Sequence, residues 1–300
     1  MPLRLPRWVR PRSRSSETVD EPAAGRLRVL DGGDLEEATA LLDHSRVENL
    51  FLSSRIETAG LDPYLLGCEV LGNVRDGRLV ALCHVGSNLV PAEADADALG
   101  LFVELLGPRR RVSSVMWEAK QVLPLWEGLS RRWGSSWSTV REVRRSQPLM
   151  VLEREPQMDV DPRVRRITLD EFGPYFDAAV KMYTEEVGVS PLEPSGSYAA
   201  HVRRTISQGR AFGIVEGGRV VYKSDVGCAA GDACQVQGVW LDPALRGRGL
   251  SEPAMAQVAR LCQERWPVVS LYVNDYNTRA RKLYERIGFD TVGEFATVLY

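Results

Sequence analysis

From Leu27 onward, apolar positions first alternate as in a strand (Leu27 to Leu30) and then recur at helical spacing through Leu35, Ala38, Leu41 and Leu42, predicting a helix that opens near Asp34. Two apolar runs meet at Asp76-Gly77, a pair that tolerates the left-handed backbone of a tight hairpin turn. The second run, Arg78 to Val85, leads through Leu89 to Pro91 into an acidic loop. Helical patterns follow at about Ala98 to Leu106 and Leu123 to Trp133, and Pro148 to Leu152 reads as a strand. Glu155-Pro156 to Asp161-Pro162 has the composition of a linker.

The second half repeats this order. A strand at Val164 to Thr168 precedes a helix carrying Phe172, Phe176, Ala179, Val180 and Tyr183, and Gly217-Gly218 joins two further strands. The hairpin Asp76 to Gly86 shares five identities with Gly217 to Gly227 at a constant offset of 141 residues. Each half continues with a loop, a helix, a helix containing an aromatic-Glu pair (Trp126-Glu127, Tyr284-Glu285) and a terminal apolar strand (Leu149 to Leu152, Thr297 to Tyr300). A repeated order of elements is what an internal duplication leaves, so two similar lobes are expected.

Composition narrows the classes without choosing among them. Three hundred residues with 44% hydrophobic and 26% charged side chains fit two ordinary globular domains. The 38 basic and 40 acidic residues leave a net charge of −2, so no charge excess points to nucleic acid or a membrane as partner. Only Lys120, Lys181, Lys223 and Lys282 among the bases are lysines. No run approaches the roughly 20 apolar residues of a membrane span, and Met1 to Ser16 lacks the apolar stretch of a secretory signal, so a cytoplasmic location is expected. Residues 1–26 carry Arg4, Arg7, Arg10, Arg12 and Arg14 among Pro and Ser and read as a flexible basic tail. Cys68, Cys83, Cys228, Cys234 and Cys262 are scattered and odd in number, and His44, His84 and His201 lie far apart. Neither a disulfide framework nor a metal site is expected.

The chemistry concentrates after the strand Val236 to Leu241. There Arg246-Gly247-Arg248-Gly249-Leu250-Ser251 turns into a helix with Leu250, Ala254, Val258, Leu261 and Cys262 on one face and Pro253 in the first turn. Gly247 and Gly249 let the chain curl so that its amides converge, and the helix start adds unpaired N–H donors with a partial positive charge. Such a turn suits an anion the size of a pyrophosphate, and it also suits a plain strand-to-helix connection. A second segment follows: strand Val269 to Val273, then a helix with Ala280, Leu283, Tyr284 and Ile287 on its apolar face, Asn277 as N-cap and Gly288 as terminator.

Together these segments resemble the GCN5-related N-acetyltransferases, the GNAT superfamily. The Arg-x-x-Gly-x-small loop at Arg246 to Ser251 is followed by Asn277, Ala280, Tyr284 and Gly288-Phe289 at the family's spacing, with Ser251 in place of the more usual Gly or Ala. The resemblance is strong over Val236 to Phe289 and looser from Val164 to Gly227. The whole chain is similar to actinobacterial two-lobed proteins that join an N-terminal domain of unknown function to a GNAT domain. It implies an α+β fold of two tandem acyl-CoA N-acyltransferase lobes, each a mixed sheet flanked by helices. The expected division is a tail at 1–26, a degenerate GNAT-like lobe at 27–155 without a CoA phosphate loop, and a GNAT domain at 156–300.

The resemblance further implies acetyl-CoA as cosubstrate, with no metal. Val239 and Leu241 would offer backbone groups to the pantetheine arm, and Arg246, Gly247, Arg248, Gly249, Leu250 and Ser251 would surround the pyrophosphate. Asn277 would wall the opposite side or serve only as a cap, and Tyr284 would protonate the departing thiolate, a role open to a phenol with pKa near 10. Tyr284 is equally a residue type found in cores. Many relatives carry a Glu on the strand before the loop; here Gln235 and Gln237 stand there, and an amide is no base. Asp225, Glu185, Glu186 and water are the alternatives for that role. The first lobe has Glu93, Asp95 and Asp97 where the second has its glycines, which would repel a pyrophosphate. The activity implied is direct transfer of an acetyl group to a primary amine of a small molecule or a protein N-terminus. The alternative is a non-catalytic acyl-CoA sensor, and the acceptor, the acyl length and the oligomeric state stay open.

Overall fold

The computed structural model describes residues 24–192 and 196–300, so the tail expected over 1–26 lies outside the described residues up to residue 23. The chain divides into two compact units, Met1–Pro148 with Gly293–Tyr300, and Leu149–Val292. This differs from a division at 155/156, because residues 149–152 count with the second unit and the last residues of the chain with the first.

The first unit runs β1 (Arg26–Val29), α1 (Leu35–Leu42), α2 (Leu50–Ala59), α3 (Pro63–Leu66), β2 (Glu69–Arg75), β3 (Arg78–Val85), β4 (Asn88–Ala92), α4 (Ala96–Leu106), β5 (Ser114–Glu118), α5 (Ala119–Trp133), α6 (Ser135–Ser138) and β6 (Glu142–Leu152) as far as Pro148. The second contains residues 149–152 of β6, then β7 (Arg165–Arg166), α7 (Phe172–Val187), α8 (Ser197–Ser207), β8 (Ala211–Glu216), β9 (Arg219–Ala230), β10 (Ala233–Leu241), α9 (Ser251–Gln263), β11 (Val268–Tyr272), α10 (Thr278–Ile287) and the start of β12 (Asp290–Leu299).

Both units are mixed sheets flanked by helices, the α+β arrangement that the resemblance implies. In the first, β1 to β4 pair antiparallel in sequence order, β5 joins β4 in parallel, and Phe295–Leu299 of β12 pair antiparallel with β5. In the second, residues 149–152 pair antiparallel with β11, β11 pairs in parallel with β10, and β9, β8 and β7 follow antiparallel. The Asp76-Gly77 and Gly217-Gly218 turns have positive φ at both residues, the geometry their sequences predict.

Helix α5 starts four residues before the expected Leu123, taking Pro124 inside it. The strand expected at Val164 to Thr168 contracts to Arg165–Arg166, while β6 extends back to Glu142. Helices α2, α3 and α8 were not expected from the pattern. In α8 only Val202, Thr205 and Ile206 are buried, a stripe too narrow to stand out between charged neighbours.

The second unit buries two cores, one on each face of its sheet. Ala254, Met255, Val258 and Cys262 of α9, with Tyr284 and Ile287 of α10, pack on Tyr222, Val236 and Val269. Tyr175, Ala178 and Ala179 of α7, with Val202 and Ile206 of α8, cover Ala211, Val220 and Trp240 on the other. Strand β10 lies between these layers, where helices on both sides can reach its end.

Candidate active site: the splayed strands of the second unit

The parallel ladder between β10 and β11 is short. Ala233, Cys234 and Gln235 pair with Val268, Val269 and Ser270, and beyond Gln235 β10 has no partner on that side. The antiparallel ladder to β9 continues to Leu241↔Tyr222 with a break between Gln237 and Trp240. The break is a bulge at Gly238, whose φ of +59° suits glycine. A Cβ there would sit 3.0 Å from Lys223 Nζ, 3.1 Å from Asp225 Oδ2 and 3.1 Å from Met182 Cε. The sequence therefore needs glycine twice over at this point, for its torsion and for its missing side chain.

The bulge fixes which way the strand's polar groups turn. Asp242 N–H donates to Val221 O on β9. Because successive residues alternate, Leu241 and Val239 direct their backbone groups to the opposite edge, where β11 has departed. The two residues expected to offer backbone groups thus lie on an unpaired edge. The Leu241 carbonyl also accepts from Arg246 Nε at 3.0 Å.

Past Leu241 a short turn over Pro243–Leu245 delivers the chain to the glycine loop. Gly247 and Gly249 have φ of +81° and +76°, and a Cβ on either would meet nothing within 4 Å. Their glycine requirement is conformational, and the space above the loop is open. Helix α9 begins at Ser251 with no side chain capping it, so its first N–H groups lack a partner within the helix. Glu252 in that first turn is held by Arg286 of α10 at 2.6 and 2.8 Å, which offsets the one carboxylate near an otherwise positive helix end.

The two loop arginines separate. Arg248 is exposed, whereas Arg246 forms a two-pronged bond with Glu185 of α7 at 2.6 and 2.8 Å. Glu185 also accepts from the indole N–H of Trp240 at 3.2 Å, and the Arg246 guanidinium holds its carboxyl below the usual range. Arg246 is therefore a tie between the loop and α7, and Glu185 is unsuited to be a base. Asp225 is engaged as well: Lys223, fully buried, donates to Oδ2 at 2.5 Å, and the Tyr175 hydroxyl bonds to Oδ1.

Tyr284 projects from the apolar face of α10, 7% exposed, with its ring edge-on to Phe289 at 5.9 Å. Its hydroxyl has no hydrogen bond to any described residue. Burial pushes its ionisation far above the ordinary phenol range, with a further rise from the charge of Glu186, so the group stays a neutral O–H donor. Asn277 caps α10, its Oδ1 accepting from Ala280 N–H at 3.2 Å. Cys228 and Cys234 are buried; burial pushes the Cys228 thiol up to about 12, and Cys234 is raised by a bond to Cys262 and by burial. Neither is an available nucleophile.

The first unit has the corresponding parallel ladder, limited to Asn88↔Ser114 and Leu89↔Val115, but side chains occupy its exit. Gln121 Oε1 accepts from Ala94 N–H at 2.8 Å, and Asn49 Nδ2 donates to Glu93 at 2.7 Å. Asp95 caps α4 through Ala98 N–H and pairs with Arg75 at 2.9 Å. The carboxylate at this helix start takes one of its N–H donors and repels an anion.

Residues 193–289 match the family model described as Acetyltransferase (GNAT) family, and residues 68–175 match Domain of unknown function (DUF4081). Residues 193–289 thus resemble a GNAT acetyltransferase domain. The matched segment is that of an acyltransferase family, and the glycine loop, α9 and α10 all fall within it. Solved structures share the fold across nearly the whole chain. A GCN5-related N-acetyltransferase from Sphaerobacter thermophilus is 16% identical with a TM-score of 0.59, over 93% of this chain and 96% of that one. A Drosophila protein is 14% identical with a TM-score of 0.62, over 91% and 98%. A tandem GNAT protein from the clavulanic acid biosynthesis pathway is 11% identical with a TM-score of 0.53, over 91% and 97%. No curated protein matches the sequence.

Among the described residues no helix is long and apolar enough to cross a membrane, and no group of three or more His, Cys, Asp or Glu could hold a metal ion. Sequence reasoning missed the Arg246–Glu185 tie, the Gly238 bulge and the buried Lys223. A glycine inside the apolar strand at 238 and a lysine directly after the apolar run Val220 to Tyr222 were the available signals.

Proposed function

We propose that the GNAT domain transfers an acetyl group from acetyl-CoA to a primary amine on a small molecule or a protein N-terminus, by direct attack. The observation that carries this reading is the departure of β11 from β10 after Gln235, which leaves the Val239–Leu241 edge free and running toward an uncapped helix start. An extended pantetheine arm fits an unpaired strand edge, where main-chain bonds give affinity without any particular side chain. The amides from Gly247 to Ser251, with Arg248 beside them, suit the pyrophosphate, since nothing crowds either glycine and no carboxylate caps α9. In this reading Arg246 acts through Glu185 to hold the loop, and Asn277 acts first as a cap.

Acetyl-CoA supplies an activated acyl group with a thiolate as leaving group. Tyr284 is the donor to that sulfur: it is neutral, sheltered from water, and its hydroxyl is not spent on a protein partner. The inert state of Cys228 and Cys234 supports attack by the amine itself over an acyl-enzyme. The test is calorimetry of the intact chain with acetyl-CoA, followed by a thiol assay for CoA released in the presence of primary amines. Binding with amine-dependent release is expected, and absence of binding to any CoA thioester overturns the reading.

A further inference from the structure

The amine must lose a proton, and the strand on which many relatives carry a Glu holds Gln235 and Gln237, the latter opposite Asp225 in the ladder. Asp225 is consumed by Lys223 and Tyr175, and Glu185 by Arg246 and Trp240. In the last turns of α7, Glu186 remains. Met182 Cε lies 3.1 Å from where a Gly238 Cβ would stand, so that face of α7 looks onto the β10 bulge. Glu185 and Glu186 follow Met182 by three and four residues and share its face. Glu185 points to Trp240 at the end of β10, while Glu186 is exposed and makes no hydrogen bond or ion pair with a described residue. The charge of Glu186 also reaches two phenols on other helices, Tyr198 of α8 and Tyr284 of α10.

We infer that Glu186 is the group that takes the proton from the acceptor amine. This rests on the acetyl-transfer reading and adds the missing half of its acid–base chemistry. The N–C bond forms as the C–S bond breaks; one N–H proton passes to the Glu186 carboxylate, and the Tyr284 hydroxyl proton passes to sulfur. Return of the proton from Glu186 to Tyr284 through solvent restores both groups, so the cycle needs no further reactant. The charged and titratable groups around Glu186 are Glu185 with its Arg246 partner, Tyr198 and Tyr284.

The experiment compares wild type with Glu186→Gln, Glu186→Asp and Glu185→Gln, using acetyl-CoA with n-butylamine and with water as acceptors. Glu186→Gln should lower kcat about 100-fold, within the range for loss of a general base, and should remove the acid limb of the kcat/KM profile. Its acetyl-CoA Kd, read by calorimetry, should stay within about twofold, and Glu186→Asp should recover part of the rate. As a readout apart from turnover, the ring-labelled Tyr284 NMR signal should follow a carboxylate titration that vanishes in Glu186→Gln. Glu185→Gln should instead weaken acetyl-CoA binding and keep the acid limb. Wild-type kcat and acid limb in Glu186→Gln overturn the base alone. Acetyl-CoA binding by wild type without CoA release to either acceptor overturns the base together with the transfer reading.

Discussion

Arg246 and Glu185 meet in a two-pronged ion pair at 2.6 and 2.8 Å, and this contact ties the first arginine of the glycine loop to α7. With the Leu241 carbonyl as a third acceptor, three of the five N–H donors of this guanidinium are engaged within the protein. The pair also joins α7, which bears Glu186, to the loop that starts α9.

That assignment separates the two arginines by their salt dependence. Arg248→Ala should weaken acetyl-CoA binding and flatten its dependence on ionic strength, because an exposed guanidinium near a polyanion acts through a screened field. Arg246→Ala should weaken binding with the salt slope kept, and Glu185→Gln should mimic it. Calorimetry at several salt concentrations reads both quantities.

Tyr284→Phe removes a hydroxyl that bonds to no described residue, so its cost to folding should be small. The expected outcome is a Tm close to wild type, an acetyl-CoA Kd within about twofold, and a kcat lower by about 100-fold, the lower end for loss of a positioned acid. A kcat equal to wild type would remove the proton-donor role.

Substitutions at the glycines should divide by what their Cβ meets. Gly249→Val finds open space but must hold φ near +76°, a strain of about 1–2 kcal/mol, and should cost acetyl-CoA affinity about tenfold. Gly238→Ala adds contacts of 3.0 to 3.1 Å with Lys223, Asp225 and Met182 to a similar torsional strain, and should lower Tm more. Differential scanning calorimetry compares the two.

The Lys223–Asp225 pair should behave as a buried ion pair, costly to halve. Asp225→Asn leaves an ammonium with no carboxylate in a fully buried position and should destabilise by about 3–5 kcal/mol. Lys223→Met with Asp225→Asn should recover part of that loss, since neither charge then stays unpaired. Denaturant melts of the two variants against wild type read the difference.

Glu171, which caps the turn before α7, predicts an acid limit. Arg165 at 2.6 and 2.8 Å, with Thr168 N–H, holds its carboxyl down at about 2 from an ordinary 4.5. A depressed folded-state pKa adds stability above the unfolded value, and that stability disappears as pH falls from about 4.5 to about 2. Glu171→Gln should therefore be less stable than wild type at neutral pH, and the gap should close toward pH 2 in urea melts.

Much of this was open to reading along the chain because it depends on near neighbours. The Asp76-Gly77 and Gly217-Gly218 turns, the Asn277 cap and the Gly288 stop are each decided within a few residues, and all form as their sequences predict. The period of α10 likewise marked Tyr284 as lying on a buried face. The glycines at 247 and 249 identified a left-handed loop before a helix whatever its purpose.

What tertiary structure alone decided were pairings between distant segments. Arg246 meets Glu185 across 61 residues, Tyr175 meets Asp225 across 50, and the last strand of the chain completes the first unit. Local pattern says which residue types stand on a face, but it cannot say which charge neutralises which, because a side chain's partner is set by the packing of helices against the sheet. Four carboxylates and amides looked alike along the sequence at 185, 186, 225 and 237. Folding spent two of them on partners and left Glu186 without one.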